Sequence, residues 1–102
     1  MQMKYKVVMS KLAFEDLYQV RRYIDCVLNS PIAAKRIYNE IKQKIVSLKE
    51  NPKIYIEERD TKLIKTNTRK VVVKNIIVFY EIIEEDKVVN VLRIVNGRIN
   101  WK

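Results

Sequence analysis

Apolar residues fall along this chain in two rhythms, first every three or four positions and then every second position or in short unbroken runs. Lys4 to Met9 alternates as a strand does, and Ser10 then stands where a side-chain oxygen can satisfy the open N–H groups of a helix start. Ala13, Leu17, Val20, Ile24 and Val27 or Leu28 recur on one helical face, leaving Glu15, Asp16, Arg21, Arg22 and Asp25 to solvent, and Asn29 interrupts the pattern. Ser30-Pro31 restarts it, because serine caps and proline gives up an N–H that the first helical turn leaves unpaired anyway. The second stripe runs through Ala34, Ile37 or Tyr38, Ile41, Ile45 and Leu48. Asn51-Pro52 is expected to end it, since the residue before proline is driven out of helical geometry.

Two amphipathic helices on so short a connection must be antiparallel neighbours. Residues 53 to 68 are charged and carry the turn-prone Asn67; Ile54 to Ile56 and Lys62 to Lys65 are at most short strands there. From Val71 the rhythm changes. Val71 to Val73, Ile76 to Ile83 and Val88 to Val95 are rich in β-branched and aromatic residues, with Lys74-Asn75 and Glu84 to Lys87 as tight turns. The expected fold is α+β: an N-terminal strand, then an antiparallel two-helix hairpin packed on a curved antiparallel sheet.

Composition narrows the picture. With 102 residues, one glycine and two prolines, the chain reads as a single domain over residues 1–102 with no linker or repeat. Lys and Arg number 21 against 12 Asp and Glu, a net charge of +9. Between residues 59 and 74 six bases (Arg59, Lys62, Lys65, Arg69, Lys70, Lys74) face the single acid Asp60. Such a field speeds encounter with nucleic acid, an acidic protein or an anionic membrane surface. The lone Cys26 excludes an internal disulfide and reads as a small buried apolar residue of the first helix. No apolar run reaches the length of a membrane span, and Met1 to Ser10 holds lysines within its apolar stretch, unlike a secretory leader; cytoplasm is the expected compartment. With no histidine and one cysteine, neither a metal nor another cofactor is expected.

Three segments, taken in order, resemble the RelE/ParE superfamily, the toxin halves of bacterial toxin and antitoxin pairs. SKLAFEDLYQVRRYI is similar to its first helix and SPIAAKRIYNEIKQKIVSLKENP to its second, while RKVVVKNIIVFYEI with VLRIVNGR is similar to its sheet. The resemblance covers nearly the whole chain. It implies a small growth-inhibiting protein neutralised by a cognate antitoxin, acidic and partly disordered, that wraps it and covers its basic face. RelE-like members cut messenger RNA in the ribosomal A site, whereas ParE-like members bind DNA gyrase and need no catalytic residues.

Cleavage through a 2′-hydroxyl needs a base, an acid and cations for the phosphate charge that develops. The cations are here. Arg69 matches the basic residue that opens the first strand of the meander, and Arg98 the last-strand arginine that faces phosphate in RelE-like toxins; Lys62, Lys65, Lys70 and Arg93 complete the candidate basic surface, with Glu58 a possible substitute carboxylate. The acid and base are not. Asn96 stands where relatives often carry histidine or tyrosine, Asn100 and Trp101 replace a His-Tyr ending, and Ile77 replaces an arginine of the RelE branch. Of the aromatics, Tyr80 matches the family's Phe-Tyr pair and is a candidate surface residue, with Phe79 expected under the helices. Trp101 either stacks on a base or caps the apolar sheet edge. The missing acid and base and the long hairpin lean the reading to gyrase inhibition, with ribosome-dependent RNA cleavage as the alternative. Homodimerisation through the helices is a further option that no motif marks.

Overall fold

A computed structural model describes residues 4–54 and 68–97. Its elements follow the order β1 (Lys6–Met9), α1 (Lys11–Leu28), α2 (Pro31–Ser47), a 3₁₀ turn (Pro52–Ile54), β2 (Thr68–Val73), β3 (Ile76–Ile83) and β4 (Val88–Asn96). The helix starts are those the caps dictate. Ser10 Oγ accepts the Ala13 N–H at 3.0 Å and Ser30 Oγ accepts the Ala33 N–H at 3.3 Å, with Pro31 in the first turn of α2. Asn29 ends α1 in the left-handed region at φ 50°, a conformation asparagine tolerates better than most residues. The second helix stops at Ser47, before the Asn51-Pro52 signal, because Leu48, Lys49 and Glu50 each donate to a carbonyl three residues back and tighten the last turn.

The sheet order is β1-β4-β3-β2. Strands β2, β3 and β4 form the antiparallel meander, while β1 joins β4 in parallel from Lys6 opposite Val88 to Met9 opposite Val91. The sheet is therefore mixed, with the first and last strands of the chain side by side. Ser10 ties this junction to the helix start: its N–H reaches the Val91 carbonyl and its hydroxyl donates to the Leu92 carbonyl, both at 3.0 Å.

Register shifts between Phe79 and Tyr80, which lie opposite Arg93 and Val91, so Leu92 is the extra residue of a bulge. That insertion resets the alternation of β4, which is why Val91 and Ile94, three apart, are both buried in one core. Both helices cover that face: Ala13, Val20, Ile24, Ala34, Ile41, Ile45 and Leu48 pack with Val71, Val73, Ile76, Val78, Tyr80, Val89, Val91 and Ile94. The two sequence stripes are thus the buried faces, except at the end of α1, where Val27 and Leu28 are both exposed and Cys26, expected to be buried, is exposed as well.

A polar hub holds the opposite end. Glu84, in the β3–β4 turn, takes Lys53 at 2.6 Å, Lys87 at 2.9 Å and the Tyr5 hydroxyl at 2.9 Å. These partners, the Lys53 hydrogen bond first, hold its carboxyl down at about 2 from an ordinary 4.5. A carboxylate with a depressed folded pKa stabilises the fold above its unfolded value and loses that contribution as pH falls through the folded one. A Glu84→Gln variant is therefore expected to be less stable than the parent at neutral pH. The difference should shrink as pH drops from 4.5 toward about 2. Urea titrations across that range check it, and a pH-independent difference would remove the hub's role. The effect is small, since the group is exposed and screened by solvent.

Candidate functional site

Alternation along β2 divides the cations that the sequence placed together. Lys70 pairs across to Phe79 and Phe79 to Arg93, so these three share the face turned away from the helices. Arg69 pairs with Tyr80 and shares the helix-covered face. Its guanidinium donates to the Lys53 carbonyl at 3.2 Å, from Nη1, and so helps hold the 3₁₀ turn against the sheet.

Arg93 is engaged differently. Its Nε and Nη2 donate to the two oxygens of Asp16 at 2.7 and 3.0 Å, a bidentate pair, and Asp16 Oδ2 also accepts the Ile94 N–H at 2.9 Å. The Asp16 hydrogen bond keeps the Arg93 guanidinium charged, above its already high ordinary pKa. Strand β1 ends at Met9, so among the described residues the far half of β4 has β3 on one side and no strand on the other, and Asp16 takes over that edge. Asp16 was expected to be solvated; its side chain is only 15% exposed, because it serves this edge and this arginine.

Tyr80 corrects a second expectation. It lies at 0% exposure in the core, and its hydroxyl donates to the Pro52 carbonyl, so it is an internal anchor and not a surface aromatic. Phe79, expected beneath the helices, occupies the other face and is itself 3% exposed. Alternation fixed that the two rings face opposite ways; the register decides which is which. Lys62, Lys65, Arg98 and Trp101 lie outside the described residues, as does Glu58. Among the described residues no cluster of three His, Cys, Asp or Glu is placed to hold a metal ion.

A different surface emerges on the helices. Between α1 and α2 runs an open groove of about 710 Å³ whose floor is Met9, Leu17 and Ile45. Phe14 and Tyr18, each 61% exposed, form one wall, and Tyr38 and Val46, the latter 53% exposed, the other. Cations lie against the rings: Arg21 is 4.8 Å and Lys42 5.4 Å from the centre of Tyr38, and Arg22 is 6.0 Å from that of Tyr18. The signal was present in the sequence as spacings of four, Phe14-Tyr18-Arg22 and Tyr38-Lys42-Val46. These form a second stripe rotated from each core stripe. Reading one stripe per helix passes over it.

The residues from 7 to 101 match the model of the ParE toxin of type II toxin-antitoxin systems, parDE. No protein sequence with a curated description matches significantly. Among solved structures, a chain of the chromosomal ParDE system from P. aeruginosa superposes with a TM-score of 0.72 at 15% identity, covering 93% of this chain and 98% of that one. A chain of the RelBE2 complex from Mycobacterium tuberculosis gives 0.66 at 20% identity, over 91% and 98%. The isolated E. coli RelE toxin gives 0.63 at 15% identity, over 95% and 88%. At these identities the structures establish a shared fold, and both branches of the superfamily share it. The match over nearly the full length is what assigns the family: the chain belongs to the ParE toxins of type II toxin-antitoxin systems.

Proposed function

We propose that this protein is the growth-inhibiting half of a toxin-antitoxin pair, acting in the cytoplasm as one domain, and that it inhibits DNA gyrase by binding it without catalysis. A cognate antitoxin, acidic and partly disordered, keeps it inactive. The antitoxin is supported by the company of the fold: the similar chains come from the ParDE system of P. aeruginosa and the RelBE complexes of M. tuberculosis and E. coli.

The observation that carries the non-catalytic reading is the use to which the sheet's arginines are put. Cleaving RNA requires cations aimed at a phosphate and an acid and base beside it. Arg93 is closed in a bidentate pair with Asp16, Arg69 bonds the Lys53 backbone from the helix-covered face, and the chain contains no histidine. Lys70, Lys62, Lys65 and Arg98 are the remaining members of the basic surface on which an RNA-cleaving mechanism would depend. Growth arrest after induced expression separates the two. A Lys70→Gln, Arg98→Gln double variant is expected to arrest growth as the parent does, at matched protein levels. Loss of arrest with the folded protein still present would favour RNA cleavage instead.

A further inference from the structure

We propose that the outer side of α2 grips the phosphate backbone of duplex DNA, the DNA that gyrase itself carries. This rests on the gyrase reading above and adds a second contact, to nucleic acid as well as to protein. From Lys35 to Lys49 the chain holds five cations, Lys35, Arg36, Lys42, Lys44 and Lys49, against the single acid Glu40. Elsewhere cations are engaged by the fold: Arg93 by Asp16, Lys53 and Lys87 by Glu84, and Lys4 by Glu50. On α2 they are not. Among the described residues none of the five pairs with a carboxylate, and Lys42 lies against the Tyr38 ring at 5.4 Å.

Their spacing puts the charge in a row. Lys35, Asn39, Lys42 and Val46 succeed one another at three or four residues and share one exposed side of the helix, and Lys49 follows in the turn beyond it. At a rise of about 1.5 Å per residue, Lys35 and Lys42 stand about 10 Å apart along an axis about 25 Å long. A duplex carries about one phosphate charge per 1.7 Å of its axis, so a straight row of this length finds anions opposite its cations. Arg36 and Gln43 lie beside the row, and the amides of Asn39 and Gln43 are the neutral donors that accompany cations on phosphate oxygens.

The same side disfavours other occupants. Val46 is the one exposed large apolar residue between Lys35 and Lys49, too little to anchor a protein interface or to sink into a bilayer. A single strand stacks its bases on a row of rings, whereas Tyr38, the one aromatic residue of that stretch, faces α1 across the groove. A second copy would set cation against cation. Glu40 is the discordant member. It sits half-buried beside Gln43 and Lys44, where its carboxylate repels phosphate.

The test uses the full chain, without gyrase, and a fluorescein-labelled DNA duplex of about 20 base pairs. Anisotropy is expected to give a Kd of about 1 to 100 µM at low salt, independent of sequence, with log K falling against log salt at a slope of about −3. Lys35→Gln with Lys42→Gln should weaken binding by about tenfold or more and flatten that slope by about 1.8, the share of two phosphate contacts. Lys6→Gln with Lys74→Gln removes the same charge from β1 and from the β2–β3 turn, and should change affinity by less than about threefold. Glu40→Gln should tighten binding, and amide shifts in ¹⁵N spectra should fall on the outer side of α2. None of these side chains belongs to the core, so unchanged thermal unfolding verifies that each variant is folded.

Equal losses from the two double variants would mean that a basic protein merely adheres to DNA, and would overturn the assignment. So would tighter binding to duplex RNA or to a single strand, displacement of the duplex by an equal charge of polyglutamate, shifts confined to the sheet, or no binding up to millimolar protein. DNA binding through α2 by a protein inert toward gyrase would support this face while removing the proposed target. Gyrase inhibition by a protein that leaves the free duplex unbound would do the reverse, so the two readings fail separately.

Discussion

Truncating Tyr80 to alanine is expected to cost about 4 kcal/mol of unfolding free energy, enough to leave much of a marginally stable domain unfolded. The ring is fully buried among residues of both helices and the sheet, so its removal leaves a large cavity, and the Pro52 carbonyl loses its donor. Tyr80→Phe separates the two contributions. The core stays filled, and about 1 to 2 kcal/mol should be lost for the unmet carbonyl alone. Urea unfolding of both variants checks the pair. A phenylalanine variant as stable as the parent would mean that the hydroxyl is not what anchors the 3₁₀ turn. Because Arg69 and Lys53 also fasten that turn, hydrogen exchange should show Tyr80→Phe loosening residues 52–54 before the helices.

The second large effect is expected at Asp16. Its carboxylate accepts three N–H groups, two from Arg93 and one from the Ile94 backbone, at a sheet edge that β1 does not reach. Asp16→Ala leaves a half-buried backbone donor and a guanidinium without their acceptor, for about 2 to 3 kcal/mol. Arg93→Ala removes a partly exposed cation and should cost less, about 1 kcal/mol. A double-mutant cycle isolates the pair. Equal losses from the two single variants would show that the Ile94 bond contributes nothing. The same pair carries functional meaning, because a residue already closed by two hydrogen bonds is poorly placed to grip a phosphate.

How much of this was legible in the sequence follows from how local each cause is. Helix starts were readable because Ser10, Ser30 and Pro31 act on N–H groups within three residues. The meander was readable because two short turns set its hairpins; Lys74 and Lys87 take φ of 57° and 52° there. Strand β2 begins at Thr68, three residues before the apolar run. Thr68, Arg69 and Lys70 are polar, yet they find partners in Glu81, Tyr80 and Phe79.

Long-range pairings were not readable. Nothing near Lys6 announces that β1 will run parallel to β4, and nothing near Asp16 announces an arginine 77 residues away. The exchange of roles between Phe79 and Tyr80 has the same origin. Alternation gives opposite faces, but only the packed register says which face meets the helices. Among the described members of the basic surface, Arg69, Lys70 and Arg93 are separated for a related reason. Arg69 and Lys70 are neighbours in sequence and therefore opposite across the sheet, while Arg93 meets an acid contributed by α1. The second stripe on the helices was within reach, since its spacing of four is a local signal. It was hidden only because each helix already had an adequate buried face.

The most direct measurement is gyrase supercoiling of relaxed plasmid, titrated with the purified full-length protein, beside cleavage of messenger RNA on programmed ribosomes with the same sample. Binding without catalysis predicts loss of supercoiling with the RNA intact. Ribosome-dependent cuts with supercoiling unaffected would contradict it, and would mean that the sheet cleaves RNA without histidine and with Arg93 released from Asp16.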